Sequence, residues 1–145
     1  MDKDFSLMHA KHNIEFLSTF YTNIKYGDWV ITVSFYSAVH LINFFIYYRG
    51  VVKYRGEEYK SLDEIPKDYT SYHSIRNQVV SENFREIEFY YLKLYSASCA
   101  ARYKDYNLLP REVKEALNNL KEIVRWVNKE SGSNVKCNFD IRRIA

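Results

Sequence analysis

Between residues 7 and 24 the apolar positions Leu7, Ala10, Ile14, Leu17, Tyr21 and Ile24 follow one another at alternating steps of three and four. Side chains at that spacing stack along one face of a helix, so the pattern predicts a first helix. Gly27 is its expected stop, and Asp28 the expected cap of a second helix running to about Arg49, with Gly50 beyond its end. Residues 30–48 carry no formal charge and approach membrane-spanning length, but Thr32, Ser34, Ser37, His40 and Asn43 interrupt them. Polar residues spread through the run predict the most buried helix of a bundle rather than a membrane span.

Three more helices follow. The third starts near Thr70 or Ser71, carries His73, Arg76, Asn77 and Val80 on one face, and ends around residues 83–85. The fourth covers about residues 86–103, with Ile87, Tyr90, Leu94, Ala97 and Ala101 as its apolar stripe. Pro110 suits the first turn of the fifth, whose face of Val113, Leu117, Leu120, Val124 and Val127 runs out at residues 131–133. The connection 50–69 is longer than compact bundles need; Arg55-Gly56 admits a short hairpin turn there, but no run predicts a larger sheet. The expected fold is all-α, an antiparallel four- to five-helix bundle over residues 1–130, followed by a flexible, slightly basic tail at 131–145.

Composition narrows the class. With 47% hydrophobic and 27% charged residues the chain holds enough apolar surface to offset the entropy of folding, which excludes a disordered protein. A net charge of +3 is too small for a protein that coats DNA; it permits nucleic acid without demanding it. The unusual feature is aromatic: 14 Tyr beside 9 Phe and 2 Trp, flat groups that pack in cores or stack on bases and partner proteins. The two cysteines, Cys99 and Cys137, lack the paired spacing of a zinc site, and the first thirty residues show no signal-segment pattern, so a reducing cytoplasm is the expected compartment.

Candidate chemistry lies on the second, third and fourth helices. Trp29, Thr32, Tyr36, His40, Asn43 and Tyr47 share one stripe of the second helix, Tyr91, Tyr95, Ser98 and Arg102 one line of the fourth, and His73 and Arg76 one turn of the third. If the stripes converge, Arg76 and Arg102 would hold phosphate and His73 or His40 would transfer protons, with Tyr36, Asn43, Tyr91, Tyr95, Ser98 and Tyr103 lining the groove. The competing reading is a network in which these groups only satisfy one another and fix helix register. His9 and His12 stand three apart, but nothing nearby completes a metal-ligand set, and they project off the apolar stripe, which predicts a solvated or partner-facing role. Cys99 reads as a core thiol rather than a nucleophile. The chain shows no glycine-rich phosphate loop, nucleophile elbow or zinc-peptidase motif, and neither cofactor nor metal is expected.

Asp28-Trp29 followed by Phe35-Tyr36-Ser37-Ala38-Val39-His40, then His73-x-x-Arg76, then Tyr91-x-x-Leu94-x-x-x-Ser98-x-x-Ala101-Arg102-Tyr103, resembles a group of small prokaryotic HEPN-domain proteins over roughly residues 5–105. The resemblance implies an antiparallel helical bundle, commonly a homodimer, in a superfamily rich in RNA-targeting nucleases of toxin–antitoxin and defence systems; other members bind nucleotides, RNA or protein. The nuclease members carry an Arg followed four to six residues later by His, an order that none of the histidines here shows. Two functions are therefore expected to compete: an RNA-associated protein, in its strongest form a metal-independent endoribonuclease with a cognate antitoxin or partner protein, and a non-catalytic module that binds protein or nucleotide. Neither expectation involves a membrane.

Overall fold

The computed structural model describes residues 3–145, so the first two residues of the expected bundle lie outside it. Its helices are α1 (Lys3–Ser18), α2 (Gly27–Arg49), α3 (Tyr72–Asn83), α4 (Glu88–Tyr103) and α5 (Pro110–Ser131). Between α2 and α3 stands an antiparallel hairpin, β1 (Val52–Tyr54) and β2 (Glu57–Tyr59), in the register Val52 to Tyr59 and Tyr54 to Glu57. The chain is thus mostly helical, as expected, with a short hairpin added.

α2 is the axis of the fold and packs against α1, α4 and α5. Being surrounded, it is apolar on most sides: Val30, Phe35, Ala38, Leu41 and Ile42 are sealed from solvent. By length and composition it could cross a membrane, yet most of it is buried inside the protein. α1 and α4 run antiparallel to it, since Phe16 lies near Trp29 while His9 meets His40, and Tyr103 lies near Trp29 while Tyr91 meets Phe35. α5 runs alongside in the same direction, with Val113 beside Gly27 and Trp126 against Phe45.

Several boundaries follow from local chemistry. The Ser71 hydroxyl accepts the free N–H of Ser74 and starts α3, and Pro110 stands in the first turn of α5, where its missing N–H costs nothing. α2 and α5 end on Gly50 and Gly132 at φ of 76° and 72°, a left-handed turn that residues with a Cβ adopt at a cost. The start of α2 corrects the sequence reading. α1 stops at Ser18, well short of Ile24, where the Ser18 and Thr19 hydroxyls donate to the carbonyls of Glu15 and Phe16, both at 2.6 Å. Gly27 is helical rather than a stop: a Cβ there would sit 3.0 Å from Val113 Cγ2, so its glycine serves the close approach of α5. Asp28 falls inside the first turn of α2, where its charge meets the positive end of the helix dipole.

The hairpin turns through Arg55 and Gly56 at φ of 51° and 82°, the paired left-handed geometry of a tight turn. The Glu82 carboxylate accepts from both of their N–H groups, and the Asn83 side chain accepts from Lys53 N and donates to Lys53 O, tying the hairpin to the end of α3. The expected flexible tail is a further correction: Val135, Phe139 and Ile144 are buried, Asn128 bonds both the N–H and the carbonyl of Val135, and Asp140 N donates to the Tyr21 hydroxyl. Apolar side chains spaced along an extended segment have no helical period, which is why the sequence pattern hid them.

Candidate functional site

The helical repeat gathers Trp29, Thr32, Tyr36, His40, Asn43 and Tyr47 on one side of α2, and α3 and α4 close over the middle of that stripe. Arg76 reaches across from α3: its Nε donates to Asn43 Oδ1 at 3.0 Å, and its Nη1 lies 3.3 Å from His73 Nδ1. From α4, Arg102 Nη1 donates to the Tyr36 hydroxyl at 2.9 Å and its Nε to the carbonyl of Ser98 at 3.3 Å, with the Cys99 sulfur 3.9 Å away. The His73 ring stands between the two arginines, its centroid 5.5 Å from Phe35, 5.9 Å from Tyr36 and 6.1 Å from Tyr95. Six of the expected groups, Tyr36, Asn43, His73, Arg76, Tyr95 and Arg102, therefore meet.

Comparison with protein-family models, curated proteins and solved structures gave no match.

Charge in this cluster is unbalanced. Arg76 is only 7% exposed, yet its hydrogen-bond partners are a neutral amide and an imidazole. Among the described residues the ion pairs are Arg125 with Glu122 and Arg142 with Asp140, both at the surface, and neither involves the cluster. A buried charge normally has an opposite charge beside it, because leaving water uncompensated costs far more than it does for a neutral group. A cavity of about 180 Å³ opens next to Arg76, walled by Asn43, Tyr47, Leu62 and Tyr72. Asp63 also lines it, and its carboxylate accepts from the Tyr47 hydroxyl at 3.3 Å.

Protonation states follow from burial and from the same arginines. Burial, then Arg76 and Arg102, hold the His73 imidazole below its usual range, so it is neutral at pH 7. A guanidinium can only donate, so His73 Nδ1 accepts from Arg76 and the ring proton sits on Nε2. Burial pushes the Tyr91 phenol up to about 12 despite the opposing pull of Arg76, and the Cys99 thiol beside Tyr95 raises that phenol too. Both remain protonated donors.

Not every expected residue joins the groove. Tyr36, Asn43, His73, Arg76, Tyr95 and Arg102 do; Tyr91 is sealed beneath them in the core, and the buried Ser98 hydroxyl has no hydrogen-bond partner among the described residues. Tyr103 is 77% exposed and lines a different cavity with Trp29. His40 lies deeper, stacked on His9 with ring centroids 3.7 Å apart. That contact corrects the expectation for His9, which faces α2 instead of solvent, whereas His12 is exposed. Sequence spacing along α1 could not show it, because the partner is on another helix. Among the described residues no three His, Cys, Asp or Glu side chains group as a metal-ligand set.

Proposed function

We propose that this protein binds single-stranded RNA along the groove between α2, α3 and α4, through phosphate contacts made by Arg76, Arg102 and the Nε2–H of His73. The observation that carries the reading is the buried Arg76 guanidinium, which pairs with no carboxylate among the described residues and borders an open cavity. A phosphodiester supplies the missing charge, and guanidinium groups match its oxygens in a bidentate way. The tyrosines around the groove offer faces on which unpaired bases stack. The tautomer of His73 favours binding over cleavage, because the nitrogen free to meet a ligand already carries its proton and the neutral ring is a poor acid.

The test is a titration of labelled single-stranded RNA in EDTA. The RNA should stay intact and bound, Arg102→Ala and Arg76→Met should each weaken binding at least tenfold, and each should lower the salt-dependence slope by about 1. Arg102 is the safer variant, being half-buried, and circular dichroism checks that both fold. Absence of binding, or variants that bind as the parent does, would remove the proposal; RNA cut by the parent but not by His73→Ala would give His73 a proton-transfer role instead.

A protein-interaction role is the second reading, favoured by an apolar face that the bundle leaves uncovered. Met8 and Phe16 on α1 are exposed at 70% and 54%, and Phe16, Phe20, Tyr26 and Trp29 frame a nearly wholly apolar hollow of about 310 Å³. In this reading the face pairs with a second copy of the chain. Light scattering should then give a dimer that Phe16→Asp converts to monomer, and a monomeric parent would dismiss the idea.

A further inference from the structure

Where the start of α2 meets the end of α4 there is a second cavity, of about 380 Å³, that shares Arg102 with the phosphate groove. Trp29, Tyr103 and Tyr106 line it, and they are exposed at 58%, 77% and 67%. Large aromatic rings held open around one hollow leave flat apolar faces in water, an arrangement that stacking on another ring would relieve. Arg102 belongs to both places: its guanidinium carbon is 5.1 Å from the Tyr103 ring centroid in the cavity, and its Nη1 bonds Tyr36 in the groove. A nucleotide with its phosphate at Arg102 would therefore have its base within reach of the three aromatics.

The polar lining selects among bases. Asp28 and Asp105 both border the cavity. One oxygen of Asp105 is occupied by the N–H of Asn107, whereas the Asp28 carboxylate accepts no hydrogen bond from a described residue. A free carboxylate presents two acceptors side by side and has no proton to give. Guanine is the RNA base whose Watson–Crick edge offers two adjacent donors, N1–H and the N2 amino group; adenine and cytosine place an acceptor beside their amino group, and uracil has a single donor between two carbonyls.

The geometry points to a guanine-binding pocket, in which the base stacks among Trp29, Tyr103 and Tyr106, the Asp28 carboxylate takes the two donors of its edge, and Arg102 holds its phosphate. It rests on the RNA reading for the source of the base, although the pocket chemistry would take a free guanine nucleotide equally.

Trp29 supplies the readout once Trp126, the other indole, is replaced by Phe. The probes are the pentanucleotides UUGUU, UUAUU, UUIUU with inosine, and UUUUU, together with free GMP and AMP, each followed by quenching of Trp29 emission. UUGUU should bind about fivefold more tightly than UUAUU, with inosine intermediate because it lacks the N2 donor. Asp28→Asn should bring UUGUU and UUAUU to equal affinity, and Arg76→Met should weaken all four oligonucleotides without altering their ranking. Equal affinity for the four, or a guanine preference that survives Asp28→Asn, would overturn the pocket and leave RNA binding standing. Quenching by GMP over AMP with no oligonucleotide bound would support the pocket and overturn the RNA reading, and no quenching by any probe would overturn both.

Discussion

Replacing Phe35 by Ala should lower the folding free energy by about 3–5 kcal/mol, the loss expected when a fully buried ring leaves a cavity. Phe35 has no exposed surface and lies 5.2–5.9 Å, ring to ring, from Tyr36, His73, Tyr91 and Tyr95. It is the shared floor under residues contributed by three helices, so its removal should loosen the groove as well as the core. Urea denaturation of the parent and of Phe35→Ala and Phe35→Leu measures this; the Leu variant, which refills part of the volume, should lose clearly less. A change under about 1 kcal/mol for Ala would mean that the aromatic layer collapses freely and does not hold His73 in place.

The second large effect is acid sensitivity. Burial, reinforced by His9 and Arg76, pushes the His40 imidazole down to about 4 from its usual 6.5. The unfolded chain therefore takes up this proton from about pH 6.5 downward, whereas the folded protein does so only near pH 4. Because the unfolded state binds more protons in that window, stability is whole above pH 6.5 and falls as the pH drops towards 4. Allowing for solvent screening of a partly exposed ring, the loss is about 2 kcal/mol, roughly thirtyfold in the folding equilibrium. Denaturation midpoints of the parent and of His40→Asn between pH 7 and 4 give the difference directly. The variant should lose this part of the slope, and His12→Asn, which alters an exposed imidazole, should keep it. Parallel pH curves for parent and His40→Asn would show that the stacked pair titrates without consequence for folding.

The same residues show what the sequence discloses and what it hides. Ser71, Pro110, Gly50 and Gly132 mark helix ends through chemistry that acts within a single turn, and α3, α5 and the end of α2 are legible from them. The end of α1 is not, because an unbroken apolar period continues past Ser18 while local hydroxyl-to-carbonyl bonds close the helix. Gly27 reads as a stop for the same reason: its need is a contact with Val113 on a helix more than eighty residues away. The stripe of α2 is visible as spacing, whereas the meeting of Arg76 with Asn43 and of Arg102 with Tyr36 depends on how the helices pack. Val135, Phe139 and Ile144 illustrate the remaining gap, since an extended segment anchored by scattered apolar residues leaves no periodic signal.

Tyr36 and Asn43, which receive the two guanidinium groups, belong to one unbroken helix seven residues apart, about 10 Å along its axis. Backbone hydrogen bonding makes that interval a ruler: neither loop movement nor a shift of the hairpin can stretch it. A guest touching both points must fit a fixed gauge, and one residue inserted between them would swing the far mark about 100° around the helix, out of line with its partner.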